Sequence, residues 1–386
     1  MSEKSTPSTR FDGFTNDSEQ RQTSHNVPAV RFTADDGSAF PAWEEKKLGD
    51  LCESIASGKT RKSTEGHVPL WGSSGLLGHT KEAEFEGDYL LIGRVGAAGS
   101  VRHYVGEFSA SDNTLVIQPI LHIISSLWLT GFLKYFNLNR LTFGSSQPLI
   151  TATQLKRLRV FTPKLQEQQK IASLLSSVDE TLALCQRKLD LFTQAKKALM
   201  QQIFSRKLCF NADDGSEFPE WEEKKLGDLC HITTGSRDAN AATLDGRYKF
   251  FTCAREDYLI DDYSFNGLAI LVAGNGDVGH TKIYEGKFDA YQRTYVLMNF
   301  SENPYYLKPA IDFYLPKRVH EGLNMGAMPY IRLDTLAGLN IPLPSSVEQQ
   351  KIAACLRSAD ALIDQARVEL EQWREVKKSL LQQLFV

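Results

Sequence analysis

One glycine pattern in the sequence has the spacing of a nucleotide-binding turn. Gly274, Gly276 and Gly279 follow the apolar run 269–272 and form G-x-G-x-x-G, the fingerprint of dinucleotide-binding enzymes. That fingerprint requires a helix directly after the glycines, because the helix N-terminus binds the pyrophosphate. Residues 280–286 have instead the pattern of a short strand and a turn. This pattern disfavours a nucleotide-binding enzyme, which stays as an alternative interpretation.

Other catalytic signatures are missing from the sequence. It contains no G-x-x-x-x-G-K-[ST] phosphate loop and no [ND]-P-P-[YF] amino-methyltransferase signature, to which Met328-Pro329-Tyr330 is the nearest approach. The six cysteines include no C-x-x-C pair, and the eight histidines show no metal-ligand spacing. We therefore expect no cofactor and no metal, and chemistry would belong to partner proteins.

The charge balance limits the classes of ligand. The chain has 44 basic and 47 acidic side chains, whereas proteins that bind nucleic acid unaided usually present a basic surface. A DNA ligand would need the basic residues gathered on one face, or partners that supply phosphate contacts. No apolar run is long enough to span a membrane, and the polar N-terminus lacks the apolar stretch of a signal peptide. We expect a cytoplasmic protein without membrane contact.

The sequence contains an internal duplication. Residues 34–52 read ADDGSAFPAWEEKKLGDLC, and residues 212–230 repeat seventeen of these nineteen positions. A period this long is typical of a duplicated domain rather than of a solenoid repeat. Segments between the shared motifs differ: 57–79 has little in common with 234–256. Equivalent loops on equivalent scaffolds therefore carry different side chains.

Two long stretches, 164–206 and 345–386, have the apolar spacing of a narrow helical seam. Each contains E-Q-Q-K-I-A near its start and has no proline or glycine. Each can therefore form one helix of about 60 Å at 1.5 Å per residue. Because such a seam needs an apolar partner, the sequence predicts two matched helices that pair with each other.

These motifs together resemble a known family. W-x-x-x-K-L-G-D occurs at 43–50 and 221–228, apolar strands run into glycine turns at 89–99 and 269–279, and a proline precedes each E-Q-Q-K-I. This order and duplication resemble the specificity (S) subunit of type I restriction–modification systems. The resemblance implies a non-catalytic subunit with two target recognition domains, each of which reads one half of a split double-stranded DNA target. It also implies binding of two methyltransferase (modification) subunits and, for cleavage, of restriction subunits.

The implied fold class is α+β, with two similar mixed α/β recognition domains joined by two long helices that form an antiparallel coiled coil. We divide the chain into a flexible N-terminal extension, two recognition domains and two spacer helices, with the boundaries 1–29, 30–163, 164–207, 208–344 and 345–386. The family pattern assigns no role to the extension.

Candidate DNA-binding residues lie in the loops of the first domain. Lys59, Arg61 and Lys62 are suited to backbone phosphates or a guanine edge. Side chains able to bond base edges stand at turns: Ser73, Ser74, Arg94, Asn113 and Gln147. Each of these residues could equally serve a turn or a solvated surface.

The second domain offers a different set of donors: Arg237, Asn240, Arg247, Arg255, Asn275, Arg293 and Asn324. Arg293 stands opposite Asn113 when the two copies are aligned, a difference that could change the base that is read. Trp43 and Trp221 have identical surroundings in both copies, which favours a structural role. A coiled-coil scaffold without DNA specificity is a further alternative.

Overall fold

The computed structural model describes residues 14–15, 28–61, 66–142, 148–321 and 330–385. Three candidate residues, Lys62, Gln147 and Asn324, and most of the predicted extension lie outside this part of the chain. The chain divides into unit 1, Met1–Cys185 with Glu369–Val386, and unit 2, Gln186–Val368.

Unit 1 contains β1 (Phe14–Thr15), β2 (Arg31–Phe32), β3 (Glu44–Lys47), β4 (Cys52–Ser57), β5 (Val68–Gly72), β6 (Gly75–Thr80), β7 (Phe85–Gly93), β8 (Val101–Ala110), β9 (Thr114–Pro119), α1 (Ser126–Phe136), α2 (Ala152–Arg157), β10 (Arg159–Thr162) and the first part of α3 (Leu165–Phe204). 3₁₀ turns occupy Leu48–Leu51 and Leu138–Leu141. The main sheet has six strands in the order β4-β9-β7-β8-β5-β6. Two short pairs, β1 with β2 and β3 with β10, accompany it.

The sheet of unit 1 is strongly curled. Phe108, near the end of β8, pairs with one end of β7, whereas Thr114, at the start of β9, pairs with the other end, although few residues separate them. Gly87 and Gly106 pair within the β7–β8 ribbon at φ +128° and +124°. Only glycine adopts such values without strain. The glycine pair therefore lets the ribbon bend.

Both faces of the curled sheet are buried, because successive strand residues point to opposite sides. Leu90 and Ile92 of β7 join the helices in the larger core of unit 1. Tyr89 and Leu91 belong to a second cluster inside the curl, together with Phe108. The strand therefore reads as a continuous apolar run in the sequence.

Unit 2 repeats this plan with the last part of α3 and with β11 (Glu222–Lys225), α4 (Leu226–Leu229), β12 (His231–Thr234), β13 (Tyr248–Phe251), β14 (Tyr258–Ile260), β15 (Phe265–Ala273), β16 (Thr281–Ala290), β17 (Thr294–Met298), α5 (Pro304–Glu321), α6 (Leu333–Ala337), β18 (Asn340–Leu343) and the first part of α7 (Ser346–Leu384), whose end belongs to unit 1. A 3₁₀ turn occupies Ala239–Ala241. The sheet order is β12-β17-β15-β16-β13-β14, and β11 forms a separate pair with β18.

The long helices contact each other in both units. In unit 1, Ile171 near the start of α3 shares a core with Leu384 at the end of α7, and Asp179 pairs with Lys377. In unit 2, the end of α3 shares a core with the start of α7, and Lys196 Nζ lies 2.5 Å from Asp360 Oδ1. Rising residue numbers along α3 meet falling numbers along α7, so the helices are antiparallel. The predicted fold class is confirmed.

The repeated E-Q at each helix start joins the helix to its own domain. The side chain of Gln168 accepts from Ser125 N at 2.8 Å and donates to Pro163 O at 2.9 Å. Gln349 accepts from Asn303 N at 3.2 Å and donates to Pro344 O at 3.0 Å. Both glutamine side chains are buried, and a buried amide without hydrogen bonds would destabilise the fold. These bonds remove that penalty. The shared motif therefore attaches each long helix to its own domain in the same way.

The segment after Pro28 occupies, in unit 1, the position that the segment after α3 occupies in unit 2. Val30 N donates to Gln383 O at 3.1 Å, and Leu208 N donates to Gln202 O at 3.0 Å. Each unit thus combines the start of one long helix with the end of the other. Within the described residues, no helix combines the length and apolar character that membrane spanning requires.

Candidate nucleic-acid interface

Three turns converge at one end of the sheet in unit 1. The hydroxyl of Ser100 donates to Ser73 O at 2.7 Å, which joins the β7–β8 turn to the β5–β6 turn. Arg94 N donates to Asn113 O at 2.9 Å and joins the β7–β8 turn to the β8–β9 turn. These bonds fix the turns on a buried scaffold. We call them turn cluster 1, defined as residues 73–74, 94–100 and 111–113.

Unit 2 has a matched set of turns. Gly274 N donates to Arg293 O at 2.9 Å, the counterpart of the bond between Arg94 and Asn113. Arg255 donates to Asp277, which links the segment after β13 to the β15–β16 turn. This hydrogen bond lowers the pKa of the Asp277 carboxyl. We call these turns turn cluster 2, defined as residues 252–257, 274–280 and 291–293.

The glycines of both clusters serve β-turns. Gly96 and Gly99 have φ +79° and +82°, and Gly276 and Gly279 have φ +62° and +81°. After Gly279 the chain enters β16, so no helix N-terminus stands behind these glycines. A dinucleotide fingerprint needs that helix to bind the pyrophosphate. The G-x-G-x-x-G spacing is therefore explained by the turn.

The described candidate residues of unit 1 lie in or beside turn cluster 1. Ser73 and Arg94 are partly buried, and Ser74 and Asn113 are exposed. Arg94 is held in place because its Nη1 donates to Asp112 O at 3.3 Å. Exposed Lys59 and Arg61 follow β4. The intervening Thr60 N donates to Ala110 O at 3.0 Å, so this segment borders the cluster.

The candidates of unit 2 divide into two groups. Arg255, Asn275 and Arg293 belong to turn cluster 2, and Arg293 is exposed at its turn. Arg237 borders the cluster, because its carbonyl accepts from Gln292 N at 2.9 Å. Its Nε lies 3.2 Å from the fully buried carboxylate of Asp289, which gives this arginine a structural partner.

Two candidates of unit 2 stand apart from turn cluster 2. Asn240 lies in the 3₁₀ turn before β13, where its backbone N–H bonds Asp238. Arg247 directly precedes β13, with its guanidinium 6.0 Å from the ring of Tyr248. The cluster forms beyond the opposite end of that strand.

One further cation near the turns of each unit was not among the candidates that the sequence indicated. Arg102 lies 4.4 Å over the ring of Trp71, and Lys282 lies 5.7 Å over the ring of Phe251. Both are the second residue of their strand. A signal existed: Arg102 alternates with Tyr104 along β8 and therefore shares its inward face.

The repeated tryptophans pack in the cores. Trp43 packs edge-on against Trp128, with ring centroids 6.1 Å apart. Trp221 Nε1 donates to Glu348 at 3.0 Å. Both positions agree with the structural role that their shared setting favours. Among the described residues, no group of three or more His, Cys, Asp or Glu side chains is placed to hold a metal ion.

Comparisons with known proteins agree with this architecture. Residues 42–193 and 219–372 both match the family model described as Type I restriction modification DNA specificity domain. The specificity subunit of the Escherichia coli type I restriction enzyme EcoDI is 37% identical over 167 residues, which cover 42% of this chain and 36% of that subunit. The specificity subunit of the Methanocaldococcus jannaschii type I restriction enzyme MjaVIII is 25% identical, with 88% of this chain and 91% of that subunit covered.

A solved structure shares the fold. The crystal structure of the type I restriction–modification S subunit from M. genitalium aligns with a TM-score of 0.64 and 18% identity, covering 89% of this chain and 96% of that one. The family match is the stronger finding, because it spans more than half of the chain in two copies. It supports the prediction of a non-catalytic subunit and confirms the resemblance that the repeated motifs indicated: the chain belongs to the family of type I restriction–modification specificity subunits.

Proposed function

We propose that this chain gives a type I restriction–modification complex its DNA sequence specificity by reading a bipartite double-stranded target. Turn cluster 1 would contact one half-site and turn cluster 2 the other. The chain would dock two methyltransferase subunits and, for cleavage, restriction subunits. All chemistry would reside in these partners.

The observation that carries the proposal is that one scaffold presents two different sets of side chains. The sheet order is the same in both units, and the same backbone bond holds Asn113 in one and Arg293 in the other. An asparagine suits the N6/N7 edge of adenine, and an arginine suits the O6/N7 edge of guanine. Different side chains at matched turns are expected of two readers of different sequences.

The remaining candidates are assigned by their chemistry. Lys59, Arg61 and Lys62 would contact phosphates, which fix position without reading sequence. Ser73, Ser74, Arg94 and Gln147 would complete the DNA-binding surface of unit 1. The DNA-binding surface of unit 2 would include Arg237, Asn240, Arg247, Arg255, Asn275 and Asn324.

The paired helices would serve as the spacer of the target. A helix of 40 residues such as α3 is about 60 Å long. Major-groove faces on one side of B-DNA recur every 34–36 Å. Helix length would therefore set the number of unread base pairs between the half-sites.

Partner subunits would supply part of the DNA affinity. A net charge of -3 gives the chain little long-range attraction for phosphates. Docked methyltransferase subunits with basic surfaces would provide it. The assembled complex should therefore bind DNA more tightly than the chain alone.

The test is a map of methylated adenines across the genome of cells with the chain and of cells from which it has been deleted. The proposal predicts a split motif that is methylated only when the chain is present. An identical methylation map in the two strains would contradict it. The alternative of a scaffold without specificity predicts that exchanging one recognition domain leaves the motif unchanged.

A further inference from the structure

Arg102 and Lys282 occupy the same position in the two units. In the antiparallel ladders, Arg102 pairs with Leu91 and Lys282 with Leu271. Each cation lies over an aromatic residue of the neighbouring parallel strand, and these two residues also match in register, because Trp71 pairs with Ala110 and Phe251 with Ala290. The position is therefore equivalent in backbone register and in packing, and its two occupants can be compared directly.

The two cations differ in what they bind. Lys282 Nζ lies 2.7 Å from the carbonyl of Arg255 and 2.7 Å from the carboxylate of Asp257, and its side chain is 19% exposed. These partners use its charge within the fold. The guanidinium of Arg102 lies 4.4 Å over the centroid of the Trp71 ring, and in the described part of the chain no side chain or carbonyl accepts a hydrogen bond from it. Within the described residues its edge donors are therefore free.

The position of Arg102 brings those donors to turn cluster 1. A Cβ added to Gly75, next to the β5–β6 turn, would lie 3.9 Å from Arg102 Nη2. Ser100, two residues before Arg102, bonds the same turn through Ser73 O. Stacking on an indole holds a guanidinium in a fixed plane and leaves its edge available, because the ring contacts only its face.

At the β8–β9 turn and its counterpart, the β16–β17 turn, it is unit 2 that has the arginine without an ion-pair partner among the described residues. Unit 1 has neutral Asn113 there, whereas unit 2 has exposed Arg293. No described residue forms an ion pair with the guanidinium of Arg293. Each unit therefore has, at one of these two matched positions, an arginine that forms no ion pair with a described residue, and the position that carries this arginine differs between the units.

We propose that Arg102 in unit 1 and Arg293 in unit 2 are specificity-determining residues, and that each reads a guanine in its own half-site. The inference rests on the proposed function. A guanidinium can donate two hydrogen bonds to O6 and N7 of guanine, a pattern that no other base offers in the major groove. Because the two arginines stand at different turns, the guanines would hold different places within their half-sites.

The experiment replaces the gene with R102Q, R293Q or the control R159Q in cells that also produce the partner subunits, and maps methylated adenines. In R102Q, preference for guanine at one position of one half-site should fall by about 5- to 150-fold, the loss of one bidentate contact. R293Q should relax one position of the other half-site. Arg159 is an exposed arginine of unit 1 paired with Glu45, and its loss should leave the motif unchanged.

Several outcomes would overturn the inference. A motif that keeps both guanines in R102Q would do so, and so would an equal loss at both half-sites, which indicates a role in folding or general affinity. If R102Q fails to accumulate, R102K retains the charge and should still relax the guanine position. Failure of both variants to accumulate would assign Arg102 to folding. A wild-type strain without any chain-dependent motif would instead refute the proposed function.

Discussion

Arg31 donates two hydrogen bonds to the fully buried carboxylate of Glu167, with Nε–Oε1 3.0 Å and Nη2–Oε2 2.7 Å. The matched Glu348 accepts from Trp221 and Arg206 instead. Both copies therefore keep a buried glutamate at the helix start, but different parts of the chain satisfy it. Arg31 lies at the start of the first recognition domain, so this ion pair ties the segment after Pro28 to α3.

Loss of Arg31 should destabilise the protein strongly. R31A leaves the Glu167 carboxylate buried without its cation, which costs about 3–5 kcal/mol. The free energy of unfolding, measured by guanidinium denaturation, checks this value. R159A removes an ion pair whose side chains are 76% and 39% exposed, and should cost about 0–1 kcal/mol. Equal losses for the two variants would contradict the structural role of Arg31.

The glycine pair in the β7–β8 ribbon makes a separate prediction. A Cβ at Gly106 would have space, since its nearest neighbour is Tyr104 Cε1 at 3.8 Å, but φ there is +124°. Backbone strain alone should therefore make G106A about 1–3 kcal/mol less stable. The neighbouring V105A, at a residue that is 62% exposed, should change stability by less than about 0.5 kcal/mol. Thermal unfolding of both variants decides the matter, and a G106A as stable as V105A would argue against strain.

Two leucines of α7 test the helix packing. Leu356 is 1% exposed in the core of unit 2, whereas Leu362 is 47% exposed. L356A should cost about 2–5 kcal/mol because it opens a cavity. L362A makes the same chemical change on the same helix and should cost less than about 0.5 kcal/mol. Urea denaturation of the two proteins gives the difference, and similar midpoints would mean that Leu356 is not in a packed core.

Thiol reactivity should follow burial. Burial raises the pKa of both Cys52 and Cys230 to about 12, so almost no thiolate forms at pH 8 in the folded protein. Cys209 is exposed. Alkylation with iodoacetamide at pH 8, followed by mass spectrometry, should modify Cys209 first, with Cys52 and Cys230 modified only after unfolding. Modification of Cys52 at the rate of Cys209 would show that its burial is incomplete.

Local patterns predicted the fold well. Helical periodicity predicted two pairing helices, and duplication predicted two similar domains, because both signals are present in short windows of sequence. The structural role of the repeated E-Q could not be predicted from the sequence. Gln168 bonds Ser125, and no pattern in the sequence indicates that contact.

The candidate site was predictable only in part. Turn residues such as Asn113 and Arg293 could be matched by aligning the copies. Arg237 looked equally suitable, yet its ion pair with buried Asp289 is a long-range contact. The alternation of Arg102 with Tyr104 was visible in the sequence, but the contact of Arg102 with Trp71 was not, because Trp71 lies on another strand.

Independent reading by the two units is tested most directly by exchanging β12 to β17, residues 231–298, for the corresponding segment of a family member that has a different target. Methylated adenines are then mapped in cells that produce the chimaera with the partner subunits. One half of the split motif should be replaced, while the other half and the spacer length should be retained. A motif that is unchanged, or one in which both halves change, would contradict independent reading by the two units.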